Sequence, residues 1–117
     1  MVVWTKPILI DKKFDASRIF GDSRGIYQFS ISRNIAYPKK SGKIIFIGKH
    51  SDLGAIISQH LKKSSNKSLK SYIKMEKKLY VSVKKPRSKS RTYLKMMQDE
   101  ALTGHINKYG IVPICNK

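Results

Sequence analysis

Residues 43–60 read "KIIFIGKHSDLGAIISQH". An apolar run ends at Gly48, Lys49 follows, and Leu53, Ile56, Ile57 and Leu61 then recur at helical spacing. The pattern predicts a strand over 43–48 and a helix over 51–63, with Ser51 as the N-cap. The strand is almost wholly apolar, so a central place in a sheet is expected. The helix carries one histidine, His60, and four residues before it stands Ile56.

Upstream, "GIYQFSIS" (25–32) alternates Tyr27, Phe29 and Ile31 with Ile26, Gln28 and Ser30, the period of a strand. "RNIAYPKKSG" (33–42) reads as the loop joining the two strands, and "GDSR" (21–24) as a turn. Residues 1–23, with Trp4, Pro7, Ile8, Leu9 and Ile10, are expected to form an extended arm packed on a domain spanning 24–117. Downstream, "SSNKS" (64–68) is a loop, 69–78 a short helix, and "KLYVSVKK" (78–85) a third strand through Leu79, Val81 and Val83. "PRSKS" (86–90) breaks the pattern, a long helix runs from Arg91 to Tyr109, and Gly110 is its C-cap. The expected order is β-β-α-(α)-β-α: an α+β domain without internal repeats.

Charge is the dominant global feature of the 117 residues, with 25 Lys+Arg against 7 Asp+Glu and a formal net charge of +18. Such a surplus opposes compaction unless a polyanion screens it. Nucleic acid is the natural partner, because basic side chains displace the counterions of its phosphates; an anionic membrane surface is the competing polyanion. Residues 62–91 concentrate the charge, with twelve Lys or Arg and one acid, Glu76, a net of +11. Lys62, Lys63, Lys67, Lys70, Lys84, Lys85, Arg87, Lys89 and Arg91 are the candidate nucleic-acid-binding residues. Tyr72, Tyr80 and Tyr93 lie within or beside the run, where they either stack on bases or pack in the core. The single cysteine, Cys115, excludes an intrachain disulfide and a cysteine-rich zinc site. No stretch has the roughly 18 apolar residues of a membrane span, and the N-terminus lacks a signal-peptide pattern. An intracellular protein, cytoplasmic or nucleoid-associated, is expected.

Acids are so few that metal ligands are few too. Glu100 sits in the middle of the last helix beside its apolar stripe, where it is either a metal ligand or a surface glutamate. "GIY" (25–27) on the first strand, "FIG" (46–48) ending the second, a helix with His60, a helical Glu100, then Pro113 and Asn116 form an ordered set. Together they resemble the GIY-YIG nuclease superfamily over residues 24–117.

The resemblance implies a small three-stranded antiparallel sheet flanked by helices. It implies a catalytic set of Tyr27, as general base or water-positioning group, Lys49 beside the site, His60, Glu100 as the Mg²⁺ ligand, and Asn116 as support. Two positions depart from the family pattern. The second-motif tyrosine is Phe46, and the helix arginine that stabilises phosphorane charge is Ile56. Loss of one preorganised donor to a transition-state oxyanion costs roughly 10²–10³ in rate. The favoured expectation is a nucleic-acid-binding domain with weak or lost nuclease activity, serving as a subunit or scaffold of a nucleoprotein assembly and needing no cofactor. The alternative is an active Mg²⁺-dependent endonuclease in which Lys49, Lys62 or Lys63 replaces the arginine. A protein-interaction or membrane-surface module is the third reading.

Overall fold

A computed structural model describes residues 4–87 and 89–117; the side chain of Arg91 lies outside the description. The elements in chain order are β1 (Ile8–Leu9), α1 (Ala16–Phe20), β2 (Gly25–Ala36), β3 (Ser41–His50), α2 (Leu53–Lys63), α3 (Lys67–Met75), β4 (Leu79–Lys84) and α4 (Arg91–Tyr109). A 3-10 turn at Ile114–Asn116 follows. The α+β class stands, but the sheet has four strands in the order β1-β4-β2-β3, not three, and every neighbouring pair is antiparallel. The fourth strand comes from residues read as an extended arm. Ile8 and Leu9 pair with Val81 and Tyr80 on the outer side of β4.

The apolar strand is also not central. β2 holds the middle, paired to β3 on one side and β4 on the other, and β3 is an edge. Its apolar run reports coverage of both faces rather than strand neighbours on both sides. Even-numbered Ile26 of β2 packs with Leu94 and Met97 of α4. Odd-numbered Tyr27, Phe29 and Ile31 pack with Leu53 and Ile57 of α2 and Leu69 of α3. Alternation along a strand sends the two sets to opposite faces.

The strands also run further than the alternation predicts. β2 continues to Ala36 and β3 starts at Ser41, so only 37–40 remain as turn. Register shifts near Ser30 break the period there, which hides the strand's continuation from a period-2 reading. The N-cap of α2 is Asp52 rather than Ser51: its carboxylate accepts the Ala55 N–H at 3.0 Å. α3 begins two residues before the expected 69, under the Asn66 cap. α4 keeps its expected bounds, and Gly110 closes it at φ 102°, where its N–H bonds the Ile106 carbonyl.

Two local devices hold β3. The Asn116 side chain pairs with the Ile47 main chain in both directions, accepting its N–H at 2.9 Å and donating to its carbonyl at 2.8 Å. The tail thus takes up polar groups that an edge strand leaves open. At Gly48 the Tyr27 ring lies across the main chain. A Cβ there would meet the Tyr27 Cζ and hydroxyl at 2.6 Å and Phe46 at 2.9 Å. Gly48→Ala is therefore expected to cost about 1–3 kcal/mol, as overpacking does, because a buried ring must move. Urea unfolding should show a lower midpoint with an unchanged m-value; a midpoint equal to the wild type would refute the close approach.

Candidate functional site

Three of the positions that the sequence singles out converge on the face of the sheet under α2. Tyr27 projects from β2 and its hydroxyl lies 2.9 Å from His60 Nε2. His60 Nδ1 lies 2.8 Å from the Ser64 hydroxyl, which also accepts the Asn66 N–H. Neutral imidazole has one N–H, so it donates to one hydroxyl and accepts from the other, and the chain Tyr27–His60–Ser64 has a single sense. Phe46 packs on both rings, with centroids 5.9 Å from Tyr27 and 5.6 Å from His60. It supplies the aromatic wall at the second-motif position without a hydroxyl. Ile56 is half-buried and packs against the same core.

The chain is enclosed. Tyr27 is 3 % exposed and His60 8 %. Burial pushes the Tyr27 phenol well above its ordinary value and the His60 imidazole below its own, with the charge of nearby His50 as a lesser cause. Both groups are held neutral. A neutral phenol bonded to a neutral imidazole inside the core is suited to fixing β2 against α2 and poorly suited to deprotonating water.

The other candidates do not join this pair. Asn116 is committed to the Ile47 main chain on β3. Glu100 is exposed on α4, the helix that covers the opposite face of the sheet. No hydrogen bond or ion pair links it to Tyr27 or His60 among the described residues. No group of three or more His, Cys, Asp or Glu that could hold a metal comes together there either. Mg²⁺ is usually bound by one or two carboxylates with substrate phosphates. A lone exposed Glu100 offers it one ligand and no companion.

Lys49 is exposed on β3, in a row with Ile26 and Lys84 on the adjacent strands. It lines a surface depression of about 390 Å³ with Arg24, His50, Ser51 and Leu94. Sequence reasoning missed Arg24, which the β2–β3 pairing brings beside Lys49, and His50, whose place next to Lys49 in the chain was the available signal. It also missed Ser64, for which the spacing to His60 at i, i+4 on one helix was the available signal.

The basic run divides in space. Lys62 and Lys63 end α2, and Lys67 and Lys70 lie on α3; all four are exposed. Lys85, Arg87 and Lys89, also exposed, follow half-buried Lys84 at the far end of β4. Arg91 opens α4 and its side chain is outside the described residues. Exposed Lys77 and Lys78 stand at the near end of β4, whose six residues span about 20 Å of strand. Glu76, the single acid of the run, is held by Arg33 of β2, whose Nε and Nη2 lie 2.9–3.1 Å from its oxygens. The other ion pair among the described residues is Lys95–Asp99 on α4. No helix among the described residues is long and apolar enough to cross a membrane. No protein-family model, curated protein or solved structure matches the chain.

His105 is a second histidine kept neutral by burial; it is 4 % exposed, and its Nδ1–H donates to the Ile111 carbonyl at 2.7 Å. Both histidines titrate below the ordinary 6.5 in the folded chain. Between that value and the lower folded one, the unfolded chain binds more protons, so stability falls as pH drops through the window. Each proton of difference is worth about 1.4 kcal/mol per pH unit. Chemical denaturation from pH 7 to 5 should show a shallower fall in stability for His60→Gln than for the wild type. Equal slopes in the two proteins would mean that His60 is not held neutral by the fold.

Proposed function

We propose that this chain is a basic nucleic-acid-binding domain of GIY-YIG-like build that hydrolyses phosphodiester bonds slowly or not at all. One observation carries the reading. Apart from half-buried Lys84, the lysines of 62–89 are exposed, and the one carboxylate of that run is already taken by Arg33, from outside it. Their charge has no internal counterpart among the described residues, and a polyphosphate backbone supplies one. The membrane reading calls for an apolar face beside the lysines to enter the interface, and α3 offers there the exposed side chain of Met75, one residue rather than a face. Two basic groups about 20 Å apart along β4 instead suit a ligand whose phosphates are spread over a similar distance. A nucleoprotein assembly is the setting that such a grip fits.

The loss of cleavage is argued from the enclosed Tyr27–His60 pair, from Ile56 in the arginine position, and from Glu100 on the other side of the sheet. Binding to duplex DNA should weaken with salt, log K against log[salt] having a slope of about −4.5 to −6 if five to seven phosphates are neutralised. Lys67→Gln with Lys70→Gln, and separately Lys85→Gln with Arg87→Gln, should each flatten the slope by about 2. The wild type should leave plasmid DNA and RNA uncut with Mg²⁺ or Mn²⁺. Binding indifferent to salt would remove the first claim. Multiple-turnover cutting that disappears in both Tyr27→Phe and Glu100→Ala would remove the second.

A further inference from the structure

We propose that the depression at the Gly25 end of the sheet is a seat for one phosphate group of a nucleic-acid backbone, built by Arg24, Lys49, His50 and Ser51 over Leu94. The proposal rests on the nucleic-acid reading and adds to it a defined point of contact. The antiparallel register builds the seat: Gly25 is paired with His50, and Ile26 with Lys49 on one side and Lys84 on the other. Lys49 and Lys84 thus flank Ile26 on one face, about 10 Å apart across two strand spacings.

The lining is uniform in chemistry. Arg24, Lys49, His50 and Ser51 are its polar members, Leu94 is its apolar floor, and none of the residues lining it is a carboxylate. The Arg24 guanidinium donates to the carbonyls of Lys89 and Ser90, which pins the start of α4 beside the depression and keeps the permanent charge in place. His50 Nδ1 is held 3.0 Å from the Asp52 N–H and 3.1 Å from the Asp52 carbonyl, which fixes the ring. In the tautomer that lets Nδ1 accept that N–H, Nε2 carries the proton and is a donor.

A fixed guanidinium, a mobile ammonium, an imidazole N–H and a hydroxyl around one hollow match an anion that offers several acceptor oxygens in different directions. Phosphate does so, and charge-assisted bonds to it are stronger than neutral ones. The hollow, about 390 Å³, is in the lower part of the roughly 300–1,000 Å³ range of small-molecule sites. Leu94 gives the sugar beside the phosphate an apolar surface to rest on. Lys84, Lys85 and Lys89 surround the same end of the molecule, so the strand that seats one phosphate here meets further cations on either side.

The test uses the full chain, a short duplex DNA, and inorganic phosphate as a second probe. Lys49→Gln should reduce the salt slope of duplex binding by about 1, while Lys40→Gln, an exposed lysine in the turn at the opposite end of β2 and β3, should leave it unchanged. Heteronuclear NMR should show both probes shifting the amides of Lys49, His50 and Ser51. If the wild type binds duplex with a steep slope and Lys49→Gln keeps that slope, the seat is wrong and the binding reading stands. If the wild type binds no nucleic acid, that reading fails and a backbone phosphate is excluded with it. If inorganic phosphate saturates the three amides and the duplex neither displaces it nor shifts them further, the hollow holds free phosphate, and the backbone assignment is overturned. If neither probe moves them, there is no seat.

Discussion

Tyr27 crosses from β2 over the bare α-carbon of Gly48 and ends on His60. That one side chain ties the central strand to the edge strand and to α2, and the rest of the fold is arranged around it. Gly48 has to be glycine for the ring to pass. Phe46 then closes the ring's flank, and His60 needs Ser64 behind it to satisfy its second nitrogen. The bond is worth little as a net contribution, about 1 kcal/mol. Leaving either partner unpaired in the core costs more than that, so the three groups are kept as a set. A chain with this arrangement can hold a tyrosine, a glycine, a histidine and an asparagine at these positions for purely mechanical reasons. Tyr27, Gly48, His60 and Asn116 each have a structural duty here, and none of these duties requires a substrate.

That double role explains which parts of the site were legible in the sequence. The strand–strand–helix order around residues 25–63 was readable because period 2 and period 3.6 are strong over those segments. The pairing of Tyr27 with His60 was implied only by resemblance, and the geometry places the two in contact. Glu100 looked like a metal ligand because it lies one residue from the apolar stripe of α4. Periodicity reports which side of a helix meets the sheet, but not which face of the sheet the helix meets. α4 covers the Ile26 face, and the motif tyrosine points to the other. The edge position of β3 was illegible for a related reason. Hydrophobicity measures burial of faces, whereas strand order is set by pairing partners distant in sequence, here Ile8 and Leu9 beside β4 and Asn116 beside β3. The approach of Arg24 to Lys49 was hidden for the same cause, being a product of register, whereas His50 is Lys49's neighbour in the chain.

The charge distribution is the second constraint on this molecule. A net charge of +18 on 117 residues works against folding through self-repulsion. The chain answers by keeping its cationic groups apart. One set is at the α3 end of β4 and the other at the Gly25 end, with the uncharged core between them. A separation of about 20 Å along the strand is more than two Debye lengths at physiological ionic strength, where the Debye length is about 8 Å. The two sets therefore repel each other weakly in the free protein. Within each set the lysines are still close enough to repel, and the exposed tips relieve this by extending into water.

A polyanion reverses the sign of that repulsion. On the proposed reading, each phosphate that enters a cationic group removes unfavourable lysine–lysine energy and gains favourable contact, so binding nucleic acid and stabilising the fold would be one process. A ligand that binds the folded chain alone raises its stability in proportion to the logarithm of its concentration over its dissociation constant. The core supplies what this coupling needs. It is uncharged, its buried histidines are neutral, and Tyr27, His60 and Ser64 are bonded to one another inside it. The surface carries the electrostatic work and the interior holds the lysines at their spacing; His50 links the two, because its charge helps to lower the His60 imidazole.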